Sequence, residues 1–207
     1  MTVAEAPAVL PDRAMVERTT AALEERGFHT LYVPTKEEAL RTVLGLVPEG
    51  ASVAHGSSTT LQQIGFIDVL ARGERAYRYR NKEWLAETDP RKRTTTRAVA
   101  SATAEYFLGS VQAIAETGEV VAADAGGSRQ APYIFGPPHV IWVASINKIV
   151  PTLADALQRL REVALPLEDQ RMKATGARGS MIGKIVIYER ERPGRITLVL
   201  VGEPLGF

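Results

Sequence analysis

Ser52-Val-Ala-His55, Gly56-Ser-Ser-Thr-Thr60 and Leu61-Gln-Gln-Ile64 run consecutively, and the reading of the fold turns on them. The first four residues make a short strand, Gly56 interrupts it, and hydroxyl side chains then stand where a helix begins. Strand, glycine-hydroxyl turn and helix form the repeating unit of a parallel α/β sheet, whose neighbouring strands need a crossover between them. The same unit lies upstream. Asp12 caps a helix expected to about Arg26, with Ala14, Val16, Ala21, Ala22 and Leu23 on its apolar face, and Leu31-Tyr-Val33 follows as a strand. Thr35 and Glu38 then read as a capping box opening a helix striped by Ala39, Leu40, Val43, Leu44 and Val47.

Downstream, Ala76-Tyr-Arg-Tyr79 reads as an edge strand, and Asp89-Pro90 starts a helix expected to reach Glu105. Tyr106-Phe-Leu108 resumes the sheet. Residues 112–115 and 119–123 form a hairpin around Thr117-Gly118, and the unbroken apolar run Val140-Ile-Trp-Val-Ala144 is a strand buried on both faces. Pro151 opens an amphipathic helix with Leu153, Ala156, Leu157, Leu160 and Val163 at helical spacing. Two last strands, Lys184-Ile-Val-Ile-Tyr188 and Thr197-Leu-Val-Leu-Val201, are joined across Pro193-Gly194. The expectation is one α/β domain over residues 12–207, a mainly parallel sheet flanked by helices with a small hairpin addition, after a flexible leader at 1–11.

Bulk properties narrow the function classes. A formal charge of +1 creates no global field to recruit nucleic acid or an anionic membrane surface. The absence of cysteine removes disulfides, thiolate zinc sites, iron–sulfur ligation and a cysteine nucleophile. His29, His55 and His139 show no metal-ligand spacing; His29 and His139 are expected to begin strands, and His55 alone adjoins a candidate loop. The N-terminus lacks the basic and apolar regions of a signal peptide, and no apolar run could cross a bilayer, so a cytoplasmic location is expected. Residues 71–97 hold nine Arg or Lys against four acids, beside Tyr77, Tyr79 and Trp84. A solvated face explains that composition better than a nucleic-acid groove.

Four polar clusters are candidate site residues. Gly56, Ser57, Ser58, Thr59 and Thr60 at a strand-to-helix turn offer amides and hydroxyls to a phosphate or carboxylate, the plainer alternative being an ordinary cap. Glu116, with Thr117 and Gly118, offers a general base or a carboxylate nucleophile, against a solvent-facing turn acid. Asp124 and Arg129 flank the permissive Gly126-Gly127, where a surface ion pair is the alternative. Asn147 and Lys148 fall at the carboxyl end of the buried strand, where open α/β sheets hold ligands. Lys148 there would anchor an anion or polarise a carbonyl, unless the pair merely leads into the next helix.

In order and spacing, these segments resemble the LUD domain, the lactate-utilisation family. The resemblance rests on Pro34-Thr-Lys-Glu-Glu-Ala39, Pro48-Glu-Gly-Ala-Ser-Val53, Gly56-Ser-Ser-Thr-Thr-Leu61, Ala113-Ile-Ala-Glu-Thr-Gly118, Ile134-Phe-Gly-Pro137, Ile146-Asn-Lys-Ile-Val-Pro151 and the closing residues 198–207. It covers the chain from about residue 14 onward. It implies the fold of glucosamine-phosphate deaminase, ribose-phosphate isomerase and coenzyme A transferases, with a ligand at the strand ends. By analogy with the acyl-accepting glutamate of coenzyme A transferases, it also implies a reactive Glu116. Relatives of this size often carry a cysteine-rich segment where residues 174–183 stand here without one. Lactate oxidation in such systems depends on separate iron–sulfur subunits.

The leading expectation is therefore a pocket for a small anionic metabolite in organic-acid utilisation, with Lys148 and Glu116 as the catalytic pair. The alternatives are a free-standing acyl transferase or phosphosugar isomerase, and a non-catalytic subunit docking a partner through residues 72–97.

Overall fold

The computed structural model describes residues 10–207. Of the expected leader, residues 1–9 lie outside the described residues, while Leu10 and Pro11 precede the first helix without regular structure.

Asp12 caps α1 (Arg13–Glu25) by accepting from the Met15 amide at 2.7 Å. There follow β1 (His29–Val33), α2 (Lys36–Leu46) and β2 (Ser52–His55). Next come α3 (Thr59–Gln63), α4 (Phe66–Arg72), the two-residue β3 (Arg78–Tyr79), α5 (Asn81–Leu85) and α6 (Pro90–Ala102). The centre holds β4 (Tyr106–Gly109), β5 (Ala113–Ala115), β6 (Val120–Asp124), α7 (Gln130–Ile134) and β7 (His139–Ser145). The remainder is β8 (Ile149–Val150), α8 (Leu153–Arg159), α9 (Leu165–Ala174), β9 (Lys184–Tyr188) and β10 (Ile196–Val201).

Six strands form an all-parallel sheet in the order β1-β10-β7-β4-β2-β3. From β2 the chain steps outward to β3, then returns past β2 to lay down β4, β7 and β10 on the other side. That reversal makes the space beyond the carboxyl ends of β2 and β4 a topological switch point, where loops diverge and leave a crevice. A second sheet, β8-β5-β6-β9, is mixed: β6 runs antiparallel to β5 and β9, and β8 parallel to β5. The expected hairpin addition is thus half of a four-stranded sheet. The two strands joined across Pro193-Gly194 do not pair, since β9 serves the second sheet and β10 the first.

Strand periodicity explains how the layers pack. Along β7, Val140, Trp142 and Ala144 point to one face of the main sheet, and Ile141 and Val143 to the other. The first set packs with Phe28, Phe107, Tyr133 and Tyr188 and with Ile114, Val120 and Ala122 of the second sheet. The other set packs under α2, α3 and α4 through Ala39, Val43, Leu61, Phe66 and Leu70. The outer face of the second sheet, Ala113, Val121 and Ala123, receives Ala156 and Leu160. The main sheet is consequently apolar on both sides, as its continuous hydrophobic strands require.

Local departures from the sequence reading have identifiable causes. Thr35 caps α2 by accepting from the Glu38 amide at 3.2 Å, but the Glu38 carboxylate turns to Arg41, so only half the box closes. A complete box occurs at Thr152 and Asp155, which start α8 one residue beyond Pro151. The helix from Asp89 stops at Ala102, three residues early. After Arg159 a π turn spans residues 160–164 and joins α8 to α9. Its wider turn shifts the helical phase, so Val163, on the apolar stripe by simple spacing, is 40% exposed.

Candidate functional site

Carboxyl-terminal loops of three adjacent parallel strands converge on one cavity of about 350 Å³. Ser57–Thr60 enter it from the end of β2, Ser110–Gln112 from β4, and Lys148 from the end of β7. The second sheet closes one side with Ala123, Asp124 and Arg129. The helical arm Leu160–Met172 and the loop 179–182 close the top. Part of the glycine-rich stretch 174–183 is therefore in the roof of this cavity.

Lys148 is the most unusual residue in it, at 1% exposure. Its Nζ donates to the Val111 carbonyl at 3.0 Å and shares hydrogen bonds with two hydroxyls able to accept or donate, Ser110 Oγ at 2.9 Å and Thr60 Oγ1 at 3.2 Å. All three partners are uncharged. Burial, reinforced by the charges of Arg159 and Arg129, pushes its pKa well below the ordinary lysine value, because the low-dielectric surroundings penalise the ammonium form. Arg159, on α8, is the brace behind it. Its guanidinium donates to the carbonyls of Asn147 (3.1 Å) and Gln112 (2.5 Å), fixing both loops that carry the site, and burial lowers its pKa to about 10.

Arg129 lies against Gly56. A Cβ placed on Gly56 would stand 2.8 Å from Arg129 Cδ and 2.9 Å from Cγ, so this approach requires glycine. The Arg129 guanidinium donates to the Ser57 carbonyl at 3.2 Å and the Ala123 carbonyl at 2.6 Å. Its Nε is buried without an acceptor among the described residues. The Asp124 carboxylate is 4.0 Å from that Nε, and it accepts instead from the backbone amides of Gly126, Gly127 and Arg129, each at 2.9 Å. Burial alone would raise the Asp124 pKa; those amides and the Arg129 charge together bring it below the usual carboxylate value. Gly127 adopts φ +95°, which lets consecutive amides turn toward one carboxylate.

Arg97 on α6 also lines the cavity, its guanidinium carbon 5.0 Å from the centre of the Trp84 ring. Burial lowers its pKa, with Arg129 adding repulsion against the opposing pull of Asp124. Among the described residues no carboxylate lies within ion-pair distance of Arg97. In the roof, Arg171 and Glu168 form a two-pronged pair at 2.7 Å, and Arg171 reaches across to Ser57 Oγ at 3.3 Å. The acidic side chains Asp124 and Glu168 are thus already engaged, while Arg97 and Arg129 keep donor capacity.

Of the residues singled out in the sequence, Ser57, Ser58, Thr59, Thr60, Asp124, Arg129 and Lys148 line this cavity, with Gly56 beneath Arg129. Glu116, Thr117 and Gly118 do not. The sequence placed Glu116 in the pocket beside Lys148, but it lies at the far end of β5 from Gln112, about 13 Å along an extended strand. Its carboxylate meets the Arg18 guanidinium of α1 at 2.5 Å. Gly118, at φ +92°, serves the hairpin turn and packs against the Ala22 carbonyl. Asn147 pins the C-terminal segment, sharing a hydrogen bond with Ser145 and donating to the Gly206 carbonyl at 3.4 Å. His55 is also outside the lining: its ring bonds the Gly56 carbonyl (2.9 Å) and the Tyr79 hydroxyl (2.8 Å), and burial lowers its pKa.

Sequence reasoning missed Arg97, Ser110, Gln112, Glu168, Arg171 and the brace Arg159. Only Arg97 left a signal, as a member of the basic 72–97 segment. There Arg72, Arg75, Arg78 and Arg80 each pair with a nearby glutamate, which accounts for four of the nine basic residues as local ion pairing. Among the described residues no three His, Asp or Glu side chains gather as metal ligands would, and no helix is long and apolar enough to cross a membrane.

An open parallel α/β sheet with a polar crevice at its switch point defines the architectural class. Within that class, residues 16–201 match the model of the LUD domain, and the chain belongs to the LUD domain family. A crystal structure of a DUF162 family protein from Deinococcus radiodurans shares the fold, with a TM-score of 0.55 at 12% identity. The match covers 92% of this chain and 99% of that one. No curated protein matches the chain.

Proposed function

We infer that the cavity binds a small organic anion, a 2-hydroxy or 2-oxo carboxylate of the lactate and pyruvate class. In this reading the protein serves organic-acid utilisation in the cytoplasm, as one component of a lactate-oxidising assembly. The observation that carries the binding site is the unspent donor capacity of Arg97 and Arg129. One has no carboxylate partner among the described residues, and the other keeps a buried Nε–H without an acceptor. A buried donor left unpaired costs about 1–3 kcal/mol, so a ligand oxygen that reaches it gains correspondingly. The planar guanidinium matches a carboxylate better than any neutral group.

Arg97 and Arg129 would hold the carboxylate, Ser57 to Thr60 would complete its hydrogen bonds, and Lys148 would face the substituent at the second carbon. Family membership supports the organic-acid role. Iron–sulfur subunits would carry the electrons, since a chain without cysteine has no thiolate ligands of its own. Assignment to the coenzyme A transferase-like fold group is part of the same proposal, supported by the parallel sheet with its crevice at the strand ends. Arg18 holds the Glu116 carboxylate away from the cavity, so the geometry does not favour an acyl-glutamate route.

Isothermal titration of lactate and pyruvate into the full chain tests the reading. Arg129→Met and Arg97→Met should each weaken binding about ten- to a hundredfold, the loss of one charge-assisted hydrogen bond or more. Binding that both variants retain at full strength would refute this site.

A further inference from the structure

Resting on that reading, we propose that Lys148 is a catalytic residue that condenses with the carbonyl carbon of a bound 2-oxo acid to form an imine. The argument begins with what surrounds the amine. Lys148 lies at the meeting point of the β2, β4 and β7 loops, on the wall of the cavity, and its hydrogen-bond partners among the described residues are two hydroxyls and one backbone carbonyl. A buried lysine kept for charge alone is normally matched by a carboxylate. The two acidic side chains lining this cavity are committed elsewhere, Asp124 to three amides and Glu168 to Arg171. The other charges facing Lys148, from Arg129 and Arg159, are of its own sign and disfavour the ammonium further. Uncharged partners and neighbouring positive charge both favour the neutral amine over the ammonium, and the neutral amine is the nucleophilic form.

The hydroxyls around it suit the proton transfers. Ser110 Oγ is 2.9 Å from Nζ and 3.3 Å from Thr60 Oγ1, so the two form a connected relay. The nitrogen lone pair forms the N–C bond while the carbonyl π pair moves to oxygen. Oxygen takes up a proton, and nitrogen sheds one through Ser110. The resulting carbinolamine loses its hydroxyl as water with a second proton delivered through the Ser110–Thr60 hydroxyls, nitrogen donates its lone pair to complete the C=N bond, and the remaining N–H proton passes back to those hydroxyls to leave the neutral imine. Amine and 2-oxo acid become imine and water, with no external oxidant or reductant. A 2-hydroxy acid such as lactate has no carbonyl for this step, so it occupies the same site without reacting.

Reductive trapping decides the matter. The full chain is incubated with pyruvate and cyanoborohydride, digested, and each lysine-bearing peptide is analysed by mass spectrometry, with Lys148→Met as control and its melting curve as a check on folding. The reduced pyruvyl adduct should accumulate on Lys148 at least about tenfold faster than on Lys36, Lys82, Lys92, Lys173 or Lys184, and lactate should suppress it. An adduct spread over those five lysines with Lys148 unmodified, while calorimetry still records lactate and pyruvate binding, overturns the covalent step and leaves the anion site standing. No binding of either acid by calorimetry overturns both. The wild-type labelling pattern settles the outcome even if Lys148→Met fails to fold.

Discussion

Gly56→Ala tests the site at its tightest point. The new methyl group would lie 2.8 and 2.9 Å from two methylenes of Arg129, where carbon atoms normally rest about 3.5–4.0 Å apart. Arg129 must therefore retreat by roughly 0.7–1 Å. Its bond to the Ala123 carbonyl, 2.6 Å long, would stretch to about 3.5 Å, past the range of a useful N–H···O bond. Overpacking of this kind costs about 1–3 kcal/mol of stability. Displacing the guanidinium should cost a bound carboxylate about 1.5–3 kcal/mol, a loss of roughly ten- to a hundredfold in affinity. Calorimetry with pyruvate, beside urea unfolding of the same preparation, separates the two effects. Wild-type affinity in a protein destabilised as expected would show that Arg129 does not hold the anion. Wild-type values of both would show that the close approach of Gly56 to Arg129 is absent in solution.

Other positions give independent checks. Gly45 is exposed on α2 with no atom near its would-be Cβ, so Gly45→Ala should gain about 0.5–1 kcal/mol of stability without altering pyruvate affinity; a loss of stability in urea melts would contradict the helix. Lys148 in the fold titrates below its ordinary 10.5, so between its folded value and 10.5 the unfolded chain binds more protons and stability rises with pH. Lys148→Met should flatten that rise in urea midpoints measured from about pH 7 to 10, whereas identical slopes would mean the native amine keeps its proton throughout. Arg159→Met removes the donor from the Asn147 and Gln112 carbonyls and should cost about 2–3 kcal/mol, lowering pyruvate affinity as both loops loosen. A melting curve unchanged by that substitution would show the brace carries no strain-bearing role.

The architecture was legible where local chemistry and tertiary role coincide. β7 announced itself because a strand buried on both faces needs an unbroken apolar run, and α1 because Asp12 both caps and begins it. Paired signals misled when one half was missing. Glu38 has the spacing of a capping box yet turns to Arg41, and Val163 holds helical phase until the π turn discards it. The second sheet escaped notice for a different reason. Its β5 and β6 read correctly as a hairpin, but their outer partners β8 and β9 come from beyond β7 and from the tail, and pairing at such separation leaves no periodicity in either segment.

The site divides along the same line. Ser57–Thr60 and Lys148 follow their strands directly, so the direction of those strands is enough to set them on the cavity wall. Glu116 obeyed the wrong neighbour: it stands at a polar turn like the others, but the turn closes the far end of β5, where α1 brings Arg18 to meet it. Direction along the strand, not polarity of the turn, decides which loops face the crevice. Arg97, Arg159 and Arg171 project from helix interiors, where an arginine in sequence is indistinguishable from a solvated surface residue. What distinguishes them is the helix packed over the strand ends, and that placement is set by the phase of α6, α8 and α9 against the two sheets. A cavity built this way keeps its buried lysine on the strand loops and its arginines on the loop after β6 and on the helices. Arg97 and Arg129, neither of which bonds the Lys148 loop, can therefore be changed one at a time, and that independence is what makes the binding and covalent steps separable by experiment.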